Sequence, residues 1–235
     1  TAGFEKEIAL DLGVNVVTVE MVDAAGLKVK VTFTIIRLNE DHETTIVIPA
    51  RPGAGGSKFP FTDVGRNDDC YDAVKYLYEN EIMNGTSDTL FSPNAELTRG
   101  MVVTILYRME GEPFTLGSKS FSDVKAGRYY SEAVEWAAEN GIVNGFTDGT
   151  FKPDQAVTRE QLASILRRYA SFSGIATYDA ELPANASVSN WAKKDVAWAY
   201  AEGILTSAQT VAAAKNANRA EVAMAIYAYL TGTAR

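Results

Sequence analysis

A repeat of 60 residues constrains this chain more than any other feature of its sequence. The motif Phe-Thr-Asp-Val at residues 61–64 recurs as Phe-Ser-Asp-Val at residues 121–124, a shift of 121 − 61 = 60. The same step separates three arginines, each preceded by threonine or asparagine: Arg99, Arg159 and Arg219. Self-similarity at a fixed period is the signature of an architecture built from copies of one small unit. The sequence therefore predicts three copies of such a unit.

Each copy is predicted to be a helix, a loop and a second helix. Four apolar residues of the second copy share one helical face, and the pair Asn144-Gly145 is expected to end this first helix: Ala133, Val134, Ala137 and Ala138. In the third copy the first helix is displaced by 62 residues and its arginine by only 60. The third loop is therefore two residues shorter, and we expect it to have a different shape.

The second helix of each copy carries a start signal. Thr158 followed by Gln161 predicts a capping box, in which each residue satisfies a free amide of the other. Asn218 repeats this signature with Glu221, whereas Thr98 is followed by a methionine and predicts a cap without the box. Apolar residues at helical spacing follow each cap and predict a buried face.

Residues 1–58 differ in kind from the rest. Residues 14–21 and 29–36 are rich in β-branched side chains and flank a turn-like segment at residues 23–26, a pattern that predicts a β-hairpin. The stretch Pro-Gly-Ala-Gly-Gly-Ser at residues 52–57 predicts a flexible linker. We place the domain boundary in residues 51–58. Because the chain begins at Thr1 without methionine or a signal sequence, it is expected to belong to a longer protein.

Composition excludes several classes of function. A net charge of −8 argues against generic attraction to nucleic acid or to an anionic membrane. With one histidine and one cysteine, the chain lacks the residues for a histidine–cysteine metal site or a nucleophile–base pair. No apolar run approaches the ~20 residues that span a bilayer. We therefore expect no cofactor, no metal, no nucleic acid partner, no membrane insertion and no enzymatic activity in this chain.

The repeated motifs resemble the S-layer homology domain, a family whose members occur in threes. The second copy carries the resemblance almost completely over residues 121–168, with its Asn-Gly-x-x-Asp-Gly-Thr-Phe-x-Pro loop and its Thr-Arg-Glu helix start. The first copy has Gly100 where an acidic residue is usual, and the third has lost the glycine turn. The resemblance covers about residues 59–231. It assigns repeats to residues 59–115, 116–174 and 175–235.

This resemblance implies a mainly α fold, with three helix-loop-helix units in a pseudo-threefold arrangement and a small N-terminal β segment. It implies grooves between the repeats that bind an anionic secondary cell-wall polysaccharide, often through a terminal pyruvylated sugar, in an extracellular protein of the cell wall or S-layer. Separately, residues 10–37 are similar to the end of a cadherin-like β-sandwich. Residues 1–50 are therefore expected to be the C-terminal part of such a domain, with surface-layer or other extracellular domains upstream.

The repeated arginines predict an anion site on physical grounds. Each falls one residue after a cap, where the helix dipole disfavours a cation by about 0.3–1 kcal/mol. A ligand carboxylate at this point would meet free backbone amides and a bidentate guanidinium together. We expect Arg159→Ala to abolish polymer binding without loss of stability. Arg219 is expected to contribute less, because its own unit has lost the glycine turn.

Further residues are candidates for the same ligand site. Aromatic side chains that recur in the first helices would offer flat faces to sugar C–H groups: Tyr76, Trp136 and Trp198. Turn glycines would direct backbone amides to the ligand: Gly145 and Gly149. Polar residues beside the repeated loops and caps complete the predicted set: Asp63, Asp123, Thr158 and Glu160.

Structural interpretations of these residues stay open. The arginines would instead form salt bridges with Asp63 or Asp123, or with the nearby Glu160 and Glu221, and the aromatic side chains would fill the core. Two other functions also stay open: a helical-repeat adaptor that binds a protein on the cell surface, and the anchor module of a larger extracellular glycan-active enzyme.

Overall fold

The computed structural model describes residues 13–22, 28–37 and 59–232, apart from residues 116, 118 and 119. The chain divides into two units, residues 1–55 and residues 56–235. In the first, strand β1 (Gly13–Val22) pairs antiparallel with strand β2 (Lys28–Arg37). This pairing confirms the predicted hairpin. The predicted turn at residues 23–26 and the predicted linker at residues 51–58 lie outside the described residues.

The second unit is helical, and this confirms the mainly α fold. Each helix-loop-helix segment contributes two principal helices, the third adds a short one, and a 3₁₀ turn (Asn190–Ala192) leads directly into α5. The helices within the described residues are α1 (Tyr71–Glu79), α2 (Arg99–Met109), α3 (Ser131–Glu139), α4 (Arg159–Phe172), α5 (Lys193–Ala201), α6 (Ser207–Thr210) and α7 (Arg219–Gly232).

A closed ring of three backbone hydrogen bonds joins the three segments at the centre of this unit. Leu97 N donates to Ala217 O (3.3 Å), Ala217 N donates to Val157 O (2.8 Å), and Val157 N donates to Leu97 O (2.9 Å). All three residues are fully buried, so each buried amide needs a partner inside the protein. The ring relates the segments by a pseudo-threefold axis.

Helix packing follows the same cyclic order. Helix α2 packs against α3, α4 packs against α5, and α7 packs against α1. The second helix of each segment therefore packs on the first helix of the next one, and the last segment closes back onto the first. One hydrophobic core runs through all three segments, with Leu106, Leu166 and Ile226 among its fully buried side chains.

The first helices end earlier than the sequence indicated. Helix α3 ends at Glu139, and Gly141 takes the left-handed conformation with φ +70°. Gly141 N donates to Ala138 O (3.2 Å) and Ile142 N donates to Ala137 O (2.8 Å), the pairing of a Schellman cap. The expected stop at Asn144-Gly145 is therefore wrong, because this cap ends the helix first. Those two residues belong to the loop.

The third loop has the predicted change of shape. Helix α6 stands where the other two segments have an extended turn. Thr206 and Gln209 form a capping box at its start, which satisfies amides that would otherwise lack partners.

Candidate ligand cleft between the helical segments

The start of each second helix is capped as the sequence predicted. The Thr158 side chain accepts a hydrogen bond from Gln161 N, and the Gln161 side chain accepts one from Thr158 N. Asn218 forms the same box with Glu221. Thr98 accepts from the backbone N of its third following residue without a reciprocal bond. The caps fix each arginine at the first position of its helix.

The backbone amides at these helix starts are already bonded. Arg99 N donates to Gln155 O (2.9 Å), and Gly100 N donates to Pro153 O (2.8 Å). Arg159 N and Arg219 N likewise donate to carbonyls of the following segment in the cyclic order. The expectation that a ligand carboxylate would bind free amides here is therefore wrong, because the neighbouring loop occupies them.

Each arginine side chain faces the loop of the next segment, not its own. Arg219 reaches the first segment, where its Nε donates to Phe91 O (2.7 Å) and its Nη2 donates to Asn84 O (2.6 Å). Its guanidinium carbon lies 4.5 Å from the centroid of the Phe91 ring. The expectation that Arg219 is weakened by the loss of a glycine turn in its own segment is wrong, because its partner loop retains its turn. Burial lowers the pKa of Arg219.

Arg159 is neutralised inside the protein. Its Nη2 lies 2.6 Å from Glu221 Oε1 and its Nε donates to Glu221 Oε2 (3.1 Å), a bidentate ion pair. Its Nη1 donates to Ala212 O (3.0 Å). The two charged side chains are only 16% and 15% exposed. The predicted structural alternative thus applies to Arg159, although its partner comes from the next segment.

Arg99 is buried under aromatic rings. Its Nε donates to Phe151 O (2.9 Å), and its guanidinium carbon lies 4.8 Å and 4.6 Å from the ring centroids of Phe146 and Phe151. The residue is 6% exposed. Burial, reinforced by the nearby Arg168 charge, lowers the pKa of Arg99 to about 10. Arg99 therefore remains a cation at neutral pH.

Asp63 and Asp123 hold the loops that the arginines face. Asp63 accepts hydrogen bonds from the backbone N of Phe91 (2.9 Å) and of Ser92 (2.7 Å). Asp123 makes the same two bonds 60 residues later. Ser92 has φ +60°, a strained conformation that charge-assisted bonds stabilise. Within the described residues neither aspartate forms an ion pair with an arginine, so these side chains act on the ligand region through the loops.

An open cleft of about 260 Å³ lies where Arg219 meets the first segment. Its polar and aromatic lining residues are Asn84, Thr104, Arg108, Tyr129 and Arg219. The rest of its lining is apolar or glycine: Ile82, Met83, Gly85, Leu97, Met101 and Ile105. We call this the Arg219 cleft. Two guanidinium groups line it, and none of its described lining residues is acidic.

The recurring helix aromatics do not reach this cleft. Trp136 and Trp198 are 3% and 1% exposed and belong to the core. Tyr76 is more exposed, but it packs edge-on against Tyr227 of α7, with the ring centroids 5.3 Å apart. The predicted sugar-platform role does not fit the two tryptophans, because neither ring presents a free face.

Four further predicted residues have structural contacts. Gly145 (φ +68°) and Gly149 (φ +79°) are turn formers, and Gly149 N donates to Phe146 O instead of facing a ligand. Thr158 caps α4. Glu160 is 5% exposed and accepts hydrogen bonds from the backbone N and the hydroxyl of Ser189. None of these four lines the Arg219 cleft.

Sequence reasoning missed Tyr129 and Arg108, which the cleft does include. Tyr129 is 56% exposed and stands two residues before α3. The equivalent place before α5 holds Trp191, which is 57% exposed. An aromatic residue that recurs just outside a predicted helix was the signal that would have identified this position. Arg108 has no counterpart in the repeated motifs and gave no such signal.

The structure adds two observations on site chemistry. No helix within the described residues combines the length and the apolar character needed to cross a membrane. Within the same residues, no three histidine, cysteine, aspartate or glutamate side chains come together as a metal site.

Comparison with known proteins identifies the repeated sequence. The chain is similar to an endoglucanase of Bacillus sp. (strain KSM-635), with 38% identity over 110 residues, 47% of this chain and 12% of the enzyme. An amylopullulanase of Thermoanaerobacterium thermosulfurigenes is 33% identical over 168 residues, 68% of this chain and 9% of that protein. A cellulosome-anchoring protein of Acetivibrio thermocellus is 25% identical over 141 residues, 57% of this chain and 30% of that protein.

The chain thus spans less than a third of the length of each of these relatives. The family profile of the S-layer homology domain matches two stretches, residues 60–100 and residues 120–163. These stretches contain the first helices, the clamped loops and the capped arginines of the first two segments. The helical unit therefore carries S-layer homology domain sequence, the sequence of a module that anchors proteins at the cell surface.

Proposed function

We propose that this chain anchors an extracellular protein non-covalently to the cell wall by binding an anionic, pyruvylated secondary cell-wall polysaccharide in the Arg219 cleft. The observation that carries the proposal is the charge of this cleft. Arg108 and Arg219 line it without an acidic neighbour among its described lining residues, although the chain as a whole has a net charge of −8. A local positive site in an acidic protein favours an anionic ligand and disfavours neutral ones.

The contacts of Arg219 leave donors for such a ligand. Two of its five N–H groups are directed at the carbonyls of Phe91 and Asn84. These carbonyls orient the guanidinium but leave its net charge in place. The remaining N–H groups are available to a carboxylate, and each charge-assisted hydrogen bond contributes about 1.5–3 kcal/mol. A pyruvyl group supplies such a carboxylate on a sugar.

The rest of the cleft suits a saccharide. The exposed ring of Tyr129 provides an apolar face with a polar edge. Arg108 lies seven residues after Met101 on the face of α2 that lines the cleft, which separates their Cα atoms by roughly 10 Å along the helix. This length accommodates more than one sugar ring. We therefore propose that the cleft binds the end of a glycan chain.

The third helical segment is part of the same proposal. Its residues 216–218 close the ring of backbone pairing with the first two segments, and its arginine forms the cleft. We propose that residues 175–235 are a third, divergent S-layer homology repeat. S-layer homology sequence is consistent with an extracellular position in the cell wall or S-layer.

The activity of the longer protein is a separate matter. Two of the relatives are named as polysaccharide-degrading enzymes, and a third is named for anchoring. We propose that this chain is the anchoring module and is not itself an enzyme, and that surface-layer or glycan-active domains share the polypeptide. The cadherin-like domain proposed for residues 1–50 would link the two.

Cosedimentation with purified wall polymer tests this function. We expect the chain to bind intact polymer and to lose most of this binding after selective removal of the pyruvyl groups. Binding that is insensitive to their removal would contradict the proposed ligand. Failure to bind any wall polymer, together with capture of a surface protein, would instead support the adaptor function.

A further inference from the structure

The position that faces the arginine differs among the three segments. Glu221 is the third residue of α7, and it forms the bidentate pair with Arg159. The equivalent third residues are Gln161 in α4 and Met101 in α2. Met101 lines the Arg219 cleft, as the cyclic arrangement requires. The residue at this position of the following segment therefore decides what each arginine meets.

The Arg159 site already contains the group that a ligand would bring. Both Glu221 carboxylate oxygens lie within hydrogen-bond distance of the Arg159 guanidinium, and the Ala212 carbonyl accepts from Nη1. In the Arg219 cleft the two carbonyl contacts are present and the corresponding carboxylate is replaced by the apolar Met101. The two places differ mainly in whether the protein supplies its own carboxylate.

We propose that Glu221 is a built-in occupant that closes the Arg159 site, so that the chain binds one anionic saccharide terminus in the Arg219 cleft and none at Arg159. This inference rests on the proposed function and adds its stoichiometry. The Arg99 site does not supply a second place, because Phe146 and Phe151 cover its guanidinium. A ligand would have to displace a ring to reach it.

Two substitutions test the inference in opposite directions. Glu221→Gln removes the negative charge but keeps a side chain that completes the cap, as Gln161 does in α4. Met101→Glu places a carboxylate beside Arg219 and adds the acid that the Thr98 cap lacks, so the helix start is not weakened. Met101→Gln is the matched control, because it alters the side chain without adding charge.

Isothermal titration with a 4,6-pyruvylated hexosamine methyl glycoside counts the sites. We expect one site in the unsubstituted chain, two in Glu221→Gln, and binding weakened roughly 10- to 150-fold in Met101→Glu, the factor expected from loss of one charge-assisted hydrogen bond. Met101→Gln should remain within about threefold of the unsubstituted chain. Melting curves of all variants verify that they are folded.

The outcomes separate this inference from the proposed function. One site in both the unsubstituted chain and Glu221→Gln would overturn the inference and leave the anchoring function intact. Two or three sites in the unsubstituted chain would overturn it as well. Absence of glycoside binding in every folded variant would overturn the proposed function and the inference together.

Discussion

The Arg219 cleft and the Arg159 site are built from the same repeated elements and have opposite properties. In both, an arginine at the first position of a capped helix reaches the loop of the next segment and bonds its carbonyls. At Arg159 a carboxylate of the protein completes the site, whereas at Arg219 the contacts leave an open cleft. A repeated motif residue thus takes a structural or a binding role according to its neighbour.

The loops explain part of this difference. The first loop is held by Asp63 in a shape that presents the carbonyls of Asn84 and Phe91 to Arg219. In the third loop, helix α6 replaces that turn, and Arg159 retains only the Ala212 carbonyl from this region. The internal ion pair compensates for the lost contacts and contributes to stability instead of ligand binding.

The largest expected effect is on polymer binding. Arg219→Ala should weaken binding roughly 30-fold or more, because it removes the guanidinium that a carboxylate would meet. Arg159→Ala should change binding by less than about threefold, because Glu221 already neutralises that side chain. Surface plasmon resonance on immobilised wall polymer compares the two variants directly. Equal losses would show that the two places are not different in function.

The second effect is on stability and has the reverse order. Arg159→Ala leaves the Glu221 carboxylate largely buried without its partner. Because the pair retains some exposure, we expect a loss of about 1–3 kcal/mol in the free energy of unfolding. Arg219→Ala should lose less, since it leaves only two carbonyls without a donor. Chemical denaturation of both variants measures this, and a larger loss for Arg219→Ala would contradict the account.

The loop clamps provide a third, intermediate test. Asp63→Ala and Asp123→Ala each remove two hydrogen bonds to a loop backbone. Both should reduce stability by about 1–3 kcal/mol. Only Asp63→Ala should also weaken polymer binding, by roughly tenfold, because its loop holds Arg219. If Asp123→Ala weakened binding as strongly, a second working cleft at Arg99 would be indicated.

The smallest effect concerns the aromatic cover. Phe146 lies over Arg99, and Thr86 occupies the equivalent place in the first loop. Thr86→Phe should shield Arg219 in the same way and weaken polymer binding by about three- to fivefold. Thr86→Val is the control, since it removes the hydroxyl without adding a ring. Equal binding by Thr86→Phe and the unsubstituted chain would show that Phe146 does not close the Arg99 site.

Sequence predicted much of the local structure, because local structure depends on nearby residues. The capping box of Thr158 with Gln161, the weaker cap at Thr98 and the altered third loop are all present. The period of 60 residues also placed the three arginines at the starts of their helices. These features depend on spacings of a few residues or on the repeat itself.

The contacts between segments were not predictable in the same way. Arg159 and Glu221 are 62 residues apart, and their pairing depends on the cyclic order in which each segment faces the next. Sequence similarity alone made the three arginines look alike and directed attention to Trp136 and Trp198, which the packing of the helices buries. Burial and partner choice are properties of the closed ring, not of one repeat.

A crystal structure of the chain with a bound pyruvylated glycan fragment tests the central claim most directly. The account predicts a single fragment, with its carboxylate against the Arg219 guanidinium and its sugar beside Tyr129, while Arg159 remains paired with Glu221. A fragment bound at Arg159 with Glu221 displaced, while the Arg219 cleft stays empty, would contradict it.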